Sequence, residues 1–392
     1  MQKISFENGV TLLMSKNANG YKGNECEISL TIKAGHQNTP LGLAAVYEGI
    51  VAKQAMEGIE AVYGGNLTSF YVGGAVKNLP TMLKKLWFSC NTPTIDEETV
   101  RAAVADIVQH TRDLAAVPDR QTRLAYKHTA FQQDQIVWDP EDYIRRIEAI
   151  TVEDVQNYID TYYVGSNVIV GYSGPESAFE KVEKQARKLF ADLSAGKPSK
   201  LSKLSYTGGY QELDGNGIFF IGRFGWDISD LDNFTETNVL MNVLDARLER
   251  ELAPLGVTRE IKIAGYFGLR TMRVSITATN REAFEKGLDI VCANISRLKH
   301  KEVSDRRLET SRTRTMNQNL SVADNNVLPR SVHAAWLELK GRNFDRDHFI
   351  LNVYATTAQD LRDKACDIFG SKMTAVVYGY HTSEEELLKK MQ

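Results

Sequence analysis

Apolar and polar residues alternate through Ile28-Ser-Leu-Thr-Ile-Lys-Ala-Gly35, the period of two expected of a strand with one buried face. Gly217-Ile-Phe-Phe-Ile-Gly-Arg-Phe-Gly225 reads the same way. A long apolar helix is predicted after each, from Leu41 to about Tyr63 and from about Phe234 to Leu255. Further strands are predicted over Leu67–Val76 and Leu269–Thr279, with helices opening at Leu79 and Arg281. The chain therefore presents one order of elements twice. Element lengths predict two α+β domains, each a mainly antiparallel sheet with helices packed on one face.

The ends of the two halves agree more closely. Thr151-Val-Glu-Asp154 opens a helical pattern that leads to Val168-Ile-Val-Gly-Tyr172, and Thr357-Ala-Gln-Asp360 opens another that leads to Thr374-Ala-Val-Val-Tyr378. Both landmarks recur at a separation of 206 residues. Each Thr suits a helix N-cap, and the acid three positions on can answer the first-turn N–H groups. Between the halves runs a Ser-, Lys-, Gly- and Pro-containing linker, Leu193 to Ser205, which places the domains at 1–200 and 206–392.

Composition adds limits. At 392 residues, with 43% hydrophobic and 25% charged residues, the chain is expected to be a globular protein of more than one domain. A net charge of −3 offers no attraction to nucleic acid or to an anionic membrane surface. No run approaches the ~18 apolar residues of a membrane span, so no membrane insertion is expected. The start reads as neither a secretory signal nor a transit peptide. Cys26, Cys90, Cys292 and Cys366 are widely spaced, which favours free thiols in a reduced compartment and a cytoplasmic location.

Lys33-Ala-Gly35 followed by Gly42-Leu-Ala-Ala-Val-Tyr-Glu-Gly-Ile50 resembles the insulinase/pitrilysin family of zinc peptidases, which includes the mitochondrial processing peptidases. There a strand ending in Ala-Gly leads into a helix reading G-L-A-H-x-x-E-H-M. Ala61-Val-Tyr-Gly-Gly65, Leu79 to Leu86, Pro93 to Glu98 and Asp245 to Leu252 resemble later parts of the same frame, so the likeness spans nearly the whole chain. It implies the metallopeptidase/LuxS-like half-shell: two similar domains whose inner faces oppose another half.

In the family's H-x-x-E-H motif two His residues four apart reach one metal, and the Glu polarises the metal-bound water. By this resemblance the His positions are Ala45 and Gly49, the general-base position is Glu48, and the distal Glu ligand falls on Asp106. Two of the three ligands thus lack a donor atom, and the zinc is expected to be absent. The substrate-holding Arg and Tyr positions of the second half fall on Ala253 and Arg259. A rewired site from His36, Glu48, Asp106 and His110 is the alternative that would keep a metal. Glu48 itself reads either as a carboxylate left in a shallow groove or as a remnant that binds peptide or a cation. The resemblance also implies a sheet edge at Asn66, Leu67, Thr68, Ser69, Phe70 and Tyr71, where a peptide adds as a strand.

Three functions follow as expectations. The first is a catalytically inactive structural or assembly subunit. The second is a non-catalytic partner of a heterodimeric zinc metallopeptidase, and the third an active peptidase with a rearranged metal site. Expected partners are a second copy, a related subunit or a larger protein assembly, and an extended peptide segment.

Overall fold

The computed structural model describes residues 2–16, 24–54, 58–63, 65–91, 93–131, 139–202, 204–229, 234–266, 269–324 and 346–392. Two compact units emerge, one built chiefly from Met1–Arg112 and Asp139–Ser202, the other from Asp113–Trp138, Lys203–Ser321 and Phe344–Gln392.

In the first unit β1 (Gln2–Ser5), β2 (Thr11–Lys16), β6 (Val168–Gly174), β3 (Glu25–Ile32), β5 (Thr68–Ala75) and β4 (Glu60–Tyr63) lie side by side in that order. Every pairing is antiparallel except β2 with β6. The alternation read in β3 is real. Ile28, Leu30 and Ile32 enter a core with Leu12, Val170 and Phe70, while Thr31 on the other face bonds Ser69 at 2.8 Å. Helices α1 (Leu43–Gln54), α2 (Leu79–Asn91), α6 (Val152–Tyr162) and α7 (Phe179–Phe190) contribute Tyr47, Leu83, Tyr158 and Phe190 to that core. Each such fully buried side chain stabilises the fold by roughly 1.5–3 kcal/mol. Also in this unit are α3 (Glu97–Ala115), which runs to its boundary, and α5 (Pro140–Glu148).

The second sheet has the order β7 (Gly209–Leu213), β11 (Met373–Tyr378), β8 (Phe220–Asp227), β10 (Leu269–Ala278), β9 (Thr258–Tyr266), with β7 and β11 parallel and the rest antiparallel. Strand for strand this repeats β2-β6-β3-β5-β4. Its core is shared with α8 (Phe234–Leu252), α9 (Arg281–His300), α11 (Arg346–Ala355), α12 (Ala358–Phe369) and α13 (Glu384–Met391), and α10 (Asp305–Asp324) follows α9. Both anticipated caps form. Thr151 and Asp154 bond each other's backbone N–H at the start of α6, and Thr357 and Asp360 do the same at α12.

Three expectations differ from the structure. The helix predicted from Leu41 to Tyr63 ends at Gln54, and Glu60–Tyr63 is a strand. Gly58, at φ +88°, is left-handed and cannot continue a helix. The pairing of 60–63 with β5 then supplies the backbone bonds. Second, a domain of 1–200 would hold α4 (Pro118–Phe131), yet α4 packs on β11, β7 and β8 of the second unit. Third, α4 lies on the sheet face opposite the other helices. Phe224 and Trp226 point into the core beneath α8 and α9, whereas Arg223 and Gly225 between them meet Thr122 and Tyr126 of α4. A Cβ on Gly225 would lie 1.8 Å from the Tyr126 hydroxyl, so this close approach requires glycine.

The linker is pinned at several points. Asn66 Nδ2 donates to Ser202 O (2.8 Å) while Ser202 N donates to Asn66 Oδ1 (2.6 Å), and Ser199 N donates to Asn167 Oδ1 (2.7 Å). Cys26 and Cys292 are buried free thiols and Cys366 is an exposed one; the Cys90 side chain lies outside the described residues. Among the described residues no helix is long and apolar enough to cross a membrane.

Candidate functional site

The site begins at Gly42, whose φ of +84° makes the turn into α1 and whose missing Cβ leaves room for Ile147. From there α1 buries Leu43, Ala44, Val46, Tyr47, Ile50 and Val51, and with them Glu48. Ala45 and Gly49, four apart, share the half-exposed face of the helix. Against that face lies α3. A Cβ on Gly49 would stand 3.3 Å from Ala103 Cβ. One turn further on, Lys53 Nζ reaches Asp106 Oδ2 at 2.7 Å and the Ala102 carbonyl at 3.0 Å. Asp106 is thus exposed and engaged by an ammonium, and the residue of α3 that opposes Gly49 is Ala103.

Glu48 is 3% exposed. Thr68 Oγ1 of β5 lies 2.9 Å from Glu48 Oε1 and 2.9 Å from the Ala34 carbonyl oxygen. A hydroxyl has one proton to give, and a carbonyl can only accept. With Glu48 ionised, Thr68 can serve only one of these two acceptors; with Glu48 protonated, the acid can donate to Thr68 and leave the Thr68 proton to Ala34. Burial acts in the same direction and raises the Glu48 pKa to about 8. A proton given by Thr68 to the carboxylate would pull the other way and is the smaller influence. The surroundings are aromatic: the Tyr47 ring lies 4.7 Å from Tyr163 and 5.9 Å from Tyr158. Tyr158 is pushed up by burial first and next by Glu48, which places it in the same pocket. At neutral pH Glu48 is a buried acid that ties α1 to β5. A general base must be ionised.

The other expected residues are dispersed. His36 is half-buried in the turn after β3, and His110 is exposed on α3. No group of three His, Cys, Asp or Glu side chains suited to a metal ion comes together among the described residues. The edge expected at Asn66–Tyr71 is not an edge. Thr68–Tyr71 pair with β4 on one side and β3 on the other, and β4 is the outer strand. Asn66 and Leu67 are buried, and Asn66 holds the linker. In the second unit Ala253 is exposed in the turn that ends α8. Arg259, on β9, is held by Asp245 at 2.8 Å and Glu249 at 3.1 Å.

No protein-family model matches the sequence, and none of the curated proteins does. Solved structures do match. A chain of Complex III2 from Candida albicans, with Inz-5 bound, superposes with a TM-score of 0.80 at 11% identity, over 100% of this chain and 99% of that one. A protease from Helicobacter pylori gives 0.81 at 14% identity, over 97% and 99%. The two-domain α+β fold of this chain is the fold of both. The first half of the periplasmic protease PqqL from Escherichia coli gives 0.78 at 11%, over 100% and 95%. At these identities the likeness is one of fold.

The sequence placed Ala45, Glu48 and Gly49 on one helix, which is α1, but missed what packs against them. Thr68, 20 residues from Glu48, is its hydrogen-bond partner, and burial is what raises its pKa. Lys53 carries the signal that could have been read: it stands at i+4 from Gly49, on the face that meets α3.

Proposed function

We propose that this chain is a catalytically inactive member of the insulinase-type fold that serves as a structural or assembly subunit and carries no zinc. One observation carries the reading. The two positions that would present imidazoles are Ala45 and Gly49, with Ala103 packed against the second, while the neighbouring Glu48 is a buried acid. A Lewis acid needs donor atoms, and a hydrolytic site needs an ionised base; this face of α1 offers neither. The fold match to a chain of Complex III2 supports a place in a larger assembly.

Elemental analysis of protein purified from its native source tests the metal. Less than one zinc in ten chains is expected, with no loss of melting temperature on chelation and no cleavage of casein. One zinc per chain, released by Glu48→Ala, would overturn the reading. Affinity capture from the same source is expected to bring down a second subunit.

A second reading has its own support. This chain covers 95% of a structure described as the first half of a protease, so its two units correspond to one half of that enzyme. A partner carrying an intact H-x-x-E-H would make this chain the non-catalytic half of a heterodimeric zinc peptidase. Co-purification of such a partner, with protease activity only in the mixture, decides for it.

A further inference from the structure

In the second unit, Arg247 of α8 is 4% exposed, and neither Nε nor Nη1 has a hydrogen-bond partner among the described residues. Buried guanidinium groups are ordinarily paired, because taking the charge out of water is costly. Two other arginines of this unit follow that rule. Arg223 is paired with Asp119, and Arg259 with Asp245 and Glu249. Arg247 departs from it. The charges that act on it are Arg307, Arg297 and Arg250, opposed by Glu251. Glu251 is already engaged, accepting from Arg250 and from Asn294, each at 2.8 Å, with Arg297 4.0 Å away. Burial, with Arg307 and Arg297 next, pushes Arg247 down to about 10, so it stays charged at neutral pH. In the same cluster Asn294, 1% exposed, leaves its Oδ1 without a donor among the described residues.

These four guanidinium groups and one carboxylate leave an excess of three positive charges within the set. We propose that Arg247, with Arg297 and Arg307 beside it, forms the floor of a binding site for a phosphate group. Guanidinium forks match the oxygens of phosphate, and a dianion answers the excess better than a carboxylate does. The lone acceptor Asn294 Oδ1 suits the one O–H of hydrogenphosphate. Arg297 and Arg250, whose side chains are about half exposed, give the anion its approach.

Calorimetric titration of the full chain tests this, with inorganic phosphate, a phosphoserine peptide and sulfate at matched ionic strength. Saturable binding of about one phosphate group per chain is expected, weakened tenfold or more in Arg247→Met and in Arg297→Gln. Tighter binding of the ion assigns a free phosphate, and tighter binding of the peptide assigns a phosphorylated side chain; both sustain the site. In phosphate-free buffer Arg247→Met should melt no lower than the wild type, since an apolar side chain replaces an unpaired buried charge. Should that variant fail to fold, Arg247 is a structural residue and the proposal falls. It falls equally if the wild type shows no saturable binding, or if Arg297→Gln binds phosphate as the wild type does.

Discussion

Replacing Glu48 with Gln isolates the protonation state on which the reading of the α1 site depends. Glu48 rises from an ordinary 4.5 to about 8 in the fold, chiefly through burial. At about 1.4 kcal/mol per pH unit, the ionised form is disfavoured in the native state by roughly 5 kcal/mol. Below pH 4.5 folded and unfolded chains both carry the acid, and nothing is lost. Between 4.5 and 8 the unfolded chain has released its proton and the folded chain has not, so stability falls as pH rises. Above 8 both are ionised and the whole penalty is present. Glutamine keeps the shape and a donor toward Thr68 but cannot ionise. The Glu48→Gln variant should therefore match the wild type near pH 5 and exceed it by roughly 2–4 kcal/mol near pH 8, allowing for some hydration of the charged site. Urea melts of both proteins in phosphate-free buffer, at pH 5, 6, 7 and 8, read this directly. If the two stabilities run parallel with pH, Glu48 is not the buried acid described here. A variant that loses stability most at pH 8 would mean that an ionised Glu48 is paired in the native state.

Other outcomes are equally specific. Thr151→Ala and Thr357→Ala each remove one capping box and should each cost about 1 kcal/mol in urea melts; a loss confined to one of them would contradict the equivalence of α6 and α12. Gly225→Ala forces a Cβ against the Tyr126 hydroxyl and should cost about 1–3 kcal/mol. Adding Tyr126→Phe, which removes the clashing oxygen, should recover part of that loss, and no recovery would show that α4 is not held there as described. Gly49→His, even combined with Ala45→His, should overpack the contact with Ala103 and lower the melting temperature; calorimetry finding tight zinc binding by that double variant would refute the account of this face.

Much of the architecture is local and was legible in the sequence. The period of two in Ile28 to Ile32 requires only that alternate side chains face one core. The Thr151 and Thr357 caps need only residues three apart, which is why their shared spacing revealed the duplication that the two strand orders repeat. That Ala45 and Gly49 carry no donor atom is a matter of residue identity alone. What the tertiary structure decided depends on partners far along the chain. Ala52-Lys-Gln-Ala-Met56 consists of good helix formers and suits a longer helix, until Gly58 and the pairing of 60–63 with β5 claim the next residues as the sheet's outer strand. Helix α4 looks like any amphipathic helix of the first half. Its place on the second sheet follows from Gly225 and Arg223, about a hundred residues later, which offer Tyr126 space and Thr122 and Asp119 a partner. Glu48 and Arg247 are ordinary surface residue types in a one-dimensional reading. Only the folded chain removes them from water, and that loss of hydration makes one a neutral acid and leaves the other a buried cation whose Nε and Nη1 have no hydrogen-bond partner among the described residues.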